Sequence, residues 1–334
     1  MVDAEDPIKD LKGVGAKTAA SLKDNGRGTI RKLATANPDT LPDHTSLGEK
    51  KAQDLVKKAR NALRDGNRFK NGLDFEEEQK NMGTISTGSD QLDSLLKGGI
   101  GVEYLTEAYG LSSSGKTQLA FQLCVNAQRP EDEGGADNGN QVIFIDVEET
   151  FRADRIRQIA EAEGLDPDQA LENIHVSRPT DLSDQELAIQ DCHKLNLDDV
   201  ALIVVDSMVG HVRSEFEGRE EYGERADRLG NMLADLGKMA SGETGHKIAV
   251  FYTNQAGKDP ATQYGDPVYA YGPSTMEHQS SFRLRLASRG GKGYNADLVD
   301  SPNIPPGDEY YDIFNCGIRD PEHECEYCEG GDES

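Results

Sequence analysis

The stretch GLSSSGKTQ, residues 110–118, decides the fold. It follows the short run YLTEAY, and a segment with a helical pattern comes after it. Its two glycines, its lysine and its threonine match G-x-x-x-x-G-K-[ST], a loop that wraps a phosphate with backbone N–H groups. In this pattern the lysine neutralises β- and γ-phosphate oxygens, and the threonine hydroxyl binds Mg²⁺. We therefore predict a nucleotide-binding loop between a strand and a helix.

Serines occupy the middle of this loop, where many such loops carry another glycine. The pattern leaves these positions free, and a serine is unfavourable there only if its backbone must take a positive φ angle. We expect the whole stretch to line the nucleotide, with Lys116 also taking part in catalysis and Thr117 binding Mg²⁺. The predicted nucleotide-binding residues are Gly110, Leu111, Ser112, Ser113, Ser114, Gly115, Lys116, Thr117 and Gln118.

Three apolar runs follow the loop: QVIFIDVEE (141–149), ALIVVDS (201–207) and KIAVFYTNQ (247–255). Their centres are continuously apolar, which is typical of parallel strands that are covered on both faces. Helical patterns at 152–163 and 184–195 lie between them. Strands that alternate with helices predict an α/β fold with a mostly parallel, doubly wound sheet.

Polar residues end all three runs, at the carboxyl edge where such sheets bind their ligands. Asp206 is predicted to hold Mg²⁺ through water, and Glu148 to polarise an attacking water. Gln255 is placed to sense the γ-phosphate. The alternatives are a helix-capping acid for Glu148 and an ordinary turn amide for Gln255.

The chain before this domain is rich in helical patterns over residues 1–66. IKDLKGVGAKTAASLKDNG places apolar residues on either side of a tight turn with Gly13 and Gly15, and TSLGEKKAQDLVKKARNAL repeats the pattern more weakly. We predict paired helix-hairpin-helix motifs, whose turn glycines and helix N-termini bind DNA phosphates. A small helical domain with glycine C-caps is the alternative. Residues 67–82 have the composition of a linker, and the core domain is predicted over 83–320.

The overall charge is strongly acidic, with 36 Lys and Arg against 61 Asp and Glu, a net charge of −25. An acid surplus usually opposes nucleic-acid binding. At molar salt, however, the screening length falls to about 3 Å, so local basic contacts can still hold DNA. The charge therefore indicates a salt-accumulating, halophilic source. The sequence has no signal-peptide pattern and no apolar run of eighteen residues, and five cysteines do not indicate a disulfide scaffold, so we expect a cytoplasmic protein.

The last residues, CGIRDPEHECEYCEGGDES, contain one C-x-x-C pair and two further possible zinc ligands. Because there is only one such pair, in an acidic terminal stretch, we favour a disordered tail over residues 321–334. The sequence does not decide whether these residues bind zinc. The four residues concerned are Cys316, His323, Cys325 and Cys328.

Motifs along nearly the whole chain resemble those of the archaeal RadA recombinases of the RecA-like superfamily, in the same order. They are GTISTGSDQLDSLLKGGI, GKTQLAFQL, PEDEGG, FIDVEETFRADRIRQIAE, LIVVDS, RSEFEGREEYGERADRL, AVFYTNQ and GDP. The resemblance implies a DNA-dependent ATPase for DNA repair and homologous recombination. Such proteins assemble as filaments or rings with Mg²⁺–ATP between subunits, bind single-stranded DNA, and exchange strands with a duplex. Recombination mediators are further possible partners.

The resemblance also implies roles for single residues. Arg155 would stack on adenine, and a planar guanidinium suits that role; the alternative is a surface arginine of an amphipathic helix. The arginines of the first DNA loop would be Arg213, Arg219 and Arg225, although glutamates lie between them and a salt-bridged exposed segment is the alternative. The second DNA loop would fall within 256–276. His278 would be linked to the γ-phosphate, the alternative being a neutral core histidine.

Two further positions concern contacts between subunits. Phe69 would insert into a pocket of the adjacent subunit, but Gly72 replaces the alanine usual three residues later, which predicts a weaker contact. Asp300 would help bind a monovalent cation such as K⁺ near the ATP of a neighbour. The DNA loops depart from the family pattern at Glu220, Ala226 and Ala256, so a recombinase paralogue or a RecA-fold regulatory ATPase remains an alternative function.

Overall fold

The computed structural model divides the chain into two units, Met1–Asn81 and Met82–Ser334. The residues that it describes are 7–34, 36, 38, 41–45, 47–64, 71–80, 82–136, 139–192, 195, 197–215, 222–240, 247–258, 268–272 and 274–324.

The first unit is helical. After a 3-10 turn at Ile8–Asp10 its helices are α1 (Ala16–Asp24), α2 (Ile30–Ala34), α3 (Leu41–His44), α4 (Glu49–Arg64) and α5 (Gly72–Lys80). The apolar residues that set the helical pattern form one small core, which includes Ile8, Leu22, Ile30, Leu33, Leu55 and Val56.

The two predicted glycine turns of this unit each lead into a helix. Gly13 has a φ angle of +103°, and Gly15 is the N-cap of α1 in an extended conformation. In the second turn the carbonyl of Gly48 accepts the backbone N–H groups of Lys51 and Ala52, which begins α4. Both turns therefore bring a glycine backbone to a helix N-terminus, the arrangement that suits a phosphate ligand.

The predicted linker contains helix α5. Asn71 begins this helix because its side-chain oxygen accepts the backbone N–H groups of Leu73 and Asp74, at 2.9 and 3.0 Å. The following Glu, Gln and Lys residues favour a helix over an extended chain. Leu73 and Phe75 are 74% and 49% exposed, so this helix carries apolar side chains on its surface.

The second unit contains one large sheet and a separate pair of strands. Its strands are β1 (Thr84–Ile85), β2 (Ile100–Gly101), β3 (Leu105–Gly110), β4 (Gln141–Asp146), β5 (Ile174–Ser177), β6 (Val200–Asp206), β7 (Ala249–Lys258), β8 (Val268–Ala270), β9 (Phe282–Ser288), β10 (Tyr294–Asp300), β11 (Gly307–Phe314) and β12 (Gly317–Arg319). Its helices are α6 (Asp90–Leu96), α7 (Lys116–Asn126), α8 (Ala153–Ala162), α9 (Pro167–Glu172), α10 (Leu182–Asp191), α11 (Gly210–Glu215), α12 (Tyr222–Ala240) and α13 (Ser274–Gln279).

The strand order is β12-β11-β10-β9-β3-β7-β6-β4-β5, with β8 paired to β7 and a separate antiparallel pair of β1 and β2. The six strands from β9 to β5 are parallel, and β10, β11 and β12 extend the sheet antiparallel. The predicted α/β fold with a mostly parallel sheet and a helical N-terminal domain is confirmed. The first predicted strand ends at Asp146, earlier than expected, because Val147 and Glu148 donate backbone hydrogen bonds to the carbonyl of Asp206.

The sheet has an apolar core on each face. Strand β6 supplies both, because successive side chains of a strand point to opposite faces: Leu202 and Val204 belong to one core, Ile203 and Val205 to the other. Helices α7 and α8 cover the first face, and α10 and α12 cover the second.

The three cysteines that the structure describes are buried and carry free thiols. Cys124 lies in α7, Cys192 follows α10, and Cys316 lies between β11 and β12. Burial raises the pKa of the Cys124 thiol, and it raises the pKa of Cys192 to about 12. Cys325 and Cys328 lie outside the described residues, as does most of the predicted tail. Within the described part of the chain, no helix is long and apolar enough to cross a membrane.

Candidate functional site

The predicted phosphate loop joins the end of β3 to the start of α7. Gly115 is the N-cap of α7 with a φ angle of +92°. A Cβ atom at Gly110 would lie 2.3 Å from the carbonyl oxygen of Leu286, so this position has no room for a side chain. Ser113 has a φ angle of +61°, so one of the central serines does take the conformation that favours glycine.

Lys116 folds back into the loop. Its Nζ donates to the carbonyl oxygens of Gly110 and Leu111, at 3.0 and 3.1 Å. Burial lowers the pKa of Lys116, and the nearby charges of Asp206 and Glu148 act against this. The ammonium group therefore donates to neutral carbonyl oxygens. A bound phosphate would take their place and accept stronger hydrogen bonds, because it carries a negative charge.

Asp206 lies at the end of β6, only 1% exposed, and three threonine hydroxyls donate to it. Thr117 Oγ1 is 2.8 Å from Oδ2, Thr150 Oγ1 is 3.2 Å from the same oxygen, and Thr253 donates to Oδ1. Burial raises the pKa of Asp206, and these hydrogen bonds oppose the shift. Thr150 and Thr253 carry no signal for this role in the sequence, because their contact with Asp206 depends on how the ends of neighbouring strands align.

The residues present fit the chemistry of a Mg²⁺ site. A hydroxyl and a carboxylate lie side by side at the N-terminus of α7, and Mg²⁺ prefers one or two such oxygens, with phosphates and water completing its coordination. No group of three or more His, Cys, Asp or Glu side chains is placed to hold a metal among the residues that the structure describes. A metal at this site would therefore take part of its coordination from the phosphates of a bound nucleotide.

Glu148 stands beside this pair of oxygens. Its Oε1 accepts a hydrogen bond from Ser207 Oγ at 2.6 Å and from Gln255 Nε2 at 2.9 Å. It does not cap α8, whose N-cap is Arg152 without a side-chain hydrogen bond. Gln255 lies within β7 and not in a turn. The three strand ends thus bring Glu148, Ser207 and Gln255 together.

Asp146 holds the loop that carries Glu148. Its two carboxylate oxygens accept the backbone N–H groups of Thr150 and Phe151, at 2.8 and 3.2 Å, and Arg178 Nε at 2.9 Å. Asp146 is fully buried, and a buried polar side chain needs hydrogen-bond partners such as these. It therefore positions the loop that carries Glu148.

Arg155 is anchored close to the start of α7. Its Nε donates to Gln118 Oε1 at 2.8 Å, and its two Nη atoms donate to the carbonyls of Asn315 and Phe314 at 2.7 and 2.8 Å. The guanidinium group is therefore fixed against the β11–β12 turn, which a surface arginine of an amphipathic helix would not be. Asp300 ends β10 and is exposed.

The arginines predicted for the first DNA loop meet an aromatic ring. Arg213 in α11 and Arg225 in α12 lie 5.0 and 5.4 Å from the ring centre of Tyr271. Arg219 lies outside the described residues, as does Phe69. His278 in α13 is exposed, so it is not a core histidine.

Comparison with known protein families identifies the family of this chain. A model of the Rad51 family matches residues 78–321. The chain belongs to the Rad51 family. A second model, described as a SAM-like helix-hairpin-helix tandem, matches residues 5–61 and confirms the predicted paired motifs.

Three curated relatives of this Rad51-family chain share the name "DNA repair and recombination protein RadA". The protein of Ignicoccus hospitalis is 40% identical over 321 residues, which cover 94% of this chain and 96% of the relative. That of Aeropyrum pernix is 39% identical, covering 94% and 97%, and that of Metallosphaera sedula is 37% identical, covering 94% and 96%. The predicted resemblance to archaeal RadA recombinases is confirmed, whereas the halophilic source stays a prediction.

Rad51-family proteins are DNA-dependent ATPases that bind DNA, form oligomeric filaments and use ATP with Mg²⁺. The geometry of this Rad51-family chain agrees with that chemistry at the carboxyl edge of the sheet, where phosphate loop, carboxylates and hydroxyls converge.

Proposed function

We propose that this chain is an ATP-dependent recombinase that assembles on single-stranded DNA and exchanges its strand with a homologous duplex. The observation that carries the proposal is the joining of three strand ends at one site. There Thr117 contacts Asp206, and Glu148 contacts Ser207 and Gln255. The relatives named for DNA repair and recombination support the same function.

Each residue then has a part in binding or hydrolysing ATP. Mg²⁺, when bound with ATP, neutralises charge on the β- and γ-phosphates. The loop from Gly110 to Gln118 binds the phosphates, and Thr117 and Asp206 hold the metal. Glu148 orients and polarises the attacking water, because a carboxylate held by two donors at the carboxyl edge keeps a fixed direction.

The remaining cofactor contacts are also proposals. Arg155 has its N–H groups engaged by Gln118 and two carbonyls, so the face of its guanidinium is what it can offer to adenine. We place a monovalent cation such as K⁺ at Asp300, near the ATP of a neighbouring subunit.

Assembly would use the edge of the sheet at β5. This strand ends the sheet order, with β4 as its partner among the described residues. Beside it lies a cavity of about 510 Å³ between β5 and α10, on which Val176 and Leu187 are 41% and 55% exposed. A cavity next to a strand edge, lined in part by apolar side chains, suits a phenylalanine side chain. We assign it to Phe69 of a second copy of this chain.

The test of this function is ATP turnover measured with and without single-stranded DNA at high salt. Stimulation by DNA that is lost in Lys116→Ala supports the recombinase. Turnover that is indifferent to DNA would instead favour a RecA-fold regulatory ATPase, and absent turnover with intact nucleotide binding would favour a recombinase paralogue. Conversion of homologous single-stranded and duplex DNA to joint molecules then tests strand exchange directly.

A further inference from the structure

Tyr271 lies where the two segments predicted to bind DNA meet. It directly follows β8, within the segment assigned to the second DNA loop. Arg213 and Arg225, from the first, lie 5.0 and 5.4 Å from its ring centre. The hydroxyl of Tyr271 also accepts a hydrogen bond from Arg225 Nη1 at 3.0 Å. One aromatic side chain thus contacts two cations that come from different helices.

The backbone of Tyr271 is held by the strand that carries Gln255. The backbone N–H of Tyr271 donates to the carbonyl of Gln255 at 2.8 Å, and Asn254 Nδ2 donates to the carbonyl of Tyr271 at 2.7 Å. Asn254 is fully buried and also donates to Glu107. The strand that presents Gln255 to Glu148 therefore also fixes the backbone of Tyr271.

We propose that Tyr271 is a positioning residue for DNA binding: its ring holds Arg213 and Arg225 in the orientation in which they contact the phosphates of single-stranded DNA. The inference rests on the proposed function. It adds a residue whose type and position gave no such signal in the sequence.

The chemistry of the guanidinium group makes this arrangement productive. An aromatic ring contacts the face of a guanidinium, whereas a phosphate binds its N–H edge, so the same arginine can do both. Long arginine side chains lose much rotamer freedom when they bind, and a contact that orders them beforehand reduces this loss. The ring therefore prepares the two cations before DNA arrives.

One acidic residue of this region is engaged by a different arginine. Glu215, which follows Arg213 in α11, pairs with Arg228 at 2.6 Å. Arg228 also binds Glu186 of α10 at 2.7 Å. Arg228 thus binds this carboxylate and links α10, α11 and α12.

The test measures binding of a fluorescein-labelled oligothymidylate by anisotropy, with Mg²⁺ and a non-hydrolysable ATP analogue. We expect Tyr271→Leu to weaken the affinity about 5- to 30-fold, the value of two exposed cation–π contacts. Tyr271→Phe keeps the ring contacts and loses only the hydroxyl bond to Arg225, so its affinity should fall less than that of Tyr271→Leu. Tyr310→Leu is the matched control, because it removes an Arg289–Tyr310 contact of the same kind on β11 and should leave the affinity unchanged.

A double-mutant cycle separates positioning from direct contact. In a chain with Arg213→Ala and Arg225→Ala, the further change Tyr271→Leu should have no effect on DNA affinity. An equal loss in that background would mean that the ring binds DNA itself, and tighter binding by Tyr271→Leu would mean that it withholds the arginines; either result overturns the proposal.

Stimulation of the ATPase by DNA gives a second measurement. A residue that only stabilised the fold would not change it selectively. In Tyr271→Leu the DNA concentration for half-maximal stimulation should rise by the same factor as the Kd, while turnover at saturating DNA changes less than about twofold. A parent chain that binds no single-stranded DNA with the ATP analogue would overturn the proposed function as well. A parent that binds, with Tyr271→Leu binding equally well, would overturn the positioning role and leave the function standing.

Discussion

Ser113 occupies the left-handed region of the backbone map in the middle of the phosphate loop, with a φ angle of +61°. A residue with a Cβ atom is disfavoured there by about 1–2 kcal/mol. Part of this would be offset in a glycine variant by the greater freedom of the unfolded chain. The pattern of the sequence leaves this position open, and only the folded loop shows which of the three serines is strained.

We expect Ser113→Gly to raise the free energy of unfolding by about 0.5–1 kcal/mol, because it relieves this conformation. Ser112→Gly is the matched control: Ser112 has no positive φ angle, so its replacement should be neutral or destabilising. Urea unfolding followed by circular dichroism measures both. Equal stabilisation by the two variants would show that loop strain is not the cause.

Glu148 has the geometry of a residue that acts on water, since Ser207 and Gln255 both donate to one of its oxygens. Glu148→Gln keeps the size and the acceptor oxygen but removes the basic charge. ATP hydrolysis should slow about 10²- to 10⁴-fold, whereas ATP-dependent assembly on DNA should persist. Glu149→Gln, at the exposed neighbouring position, serves as the control for loss of charge. A normal rate in Glu148→Gln would mean that another group is the base.

At the scale of elements, the sequence predicts the parallel strands that are long apolar runs. It does not predict the antiparallel strands. The runs at 141–149, 201–207 and 247–255 form β4, β6 and β7, because continuous burial leaves a clear signal. By contrast, the exposed and buried side chains of β10 and β11 mix, and no prediction covered them. The hydroxyl contacts of Asp206 and the ring contacts of Tyr271 depend on which strands are neighbours, which local patterns do not encode.

Helix α5 begins at Gly72, three residues after Phe69, the residue that we propose for the contact between subunits. A Cβ atom at Gly72 meets no other atom within 4 Å, so Gly72→Ala fits the folded chain. If the added methyl is buried on assembly, it should tighten the contact by about 0.8 kcal/mol, or about fourfold.

The concentration dependence of light scattering measures this gain. Gly72→Ala should shift the assembly curve to lower protein concentration. In the background Phe69→Ala, which itself should favour smaller species, the same change should have no effect. A gain that persists without Phe69 would place the methyl elsewhere than in the proposed cavity beside β5.

At the scale of the whole molecule, a net charge of −25 opposes folding unless it is screened. Raising KCl from 0.1 M to 1 M shortens the screening length from about 10 Å to about 3 Å. We expect the thermal midpoint to rise by about 5–10 °C over this range, which corresponds to a few kcal/mol for a chain of this size. An uncharged osmolyte at equal osmolality separates screening from exclusion of water. A midpoint that stays constant or falls in KCl would contradict the halophilic interpretation.

Two of the buried cysteines that the structure describes, Cys124 and Cys192, are probes of local opening within the molecule. Cys124 lies in the core on one face of the sheet and Cys192 in the core on the other. A thiol reacts with alkylating reagents as the thiolate, which their raised pKa values suppress in the closed state. The alkylation rate of each cysteine therefore reports how often the core on its face of the sheet opens and exposes the thiol to solvent. Mass spectrometry of the alkylated protein would show whether bound nucleotide reduces the opening of the core on one face of the sheet or on both.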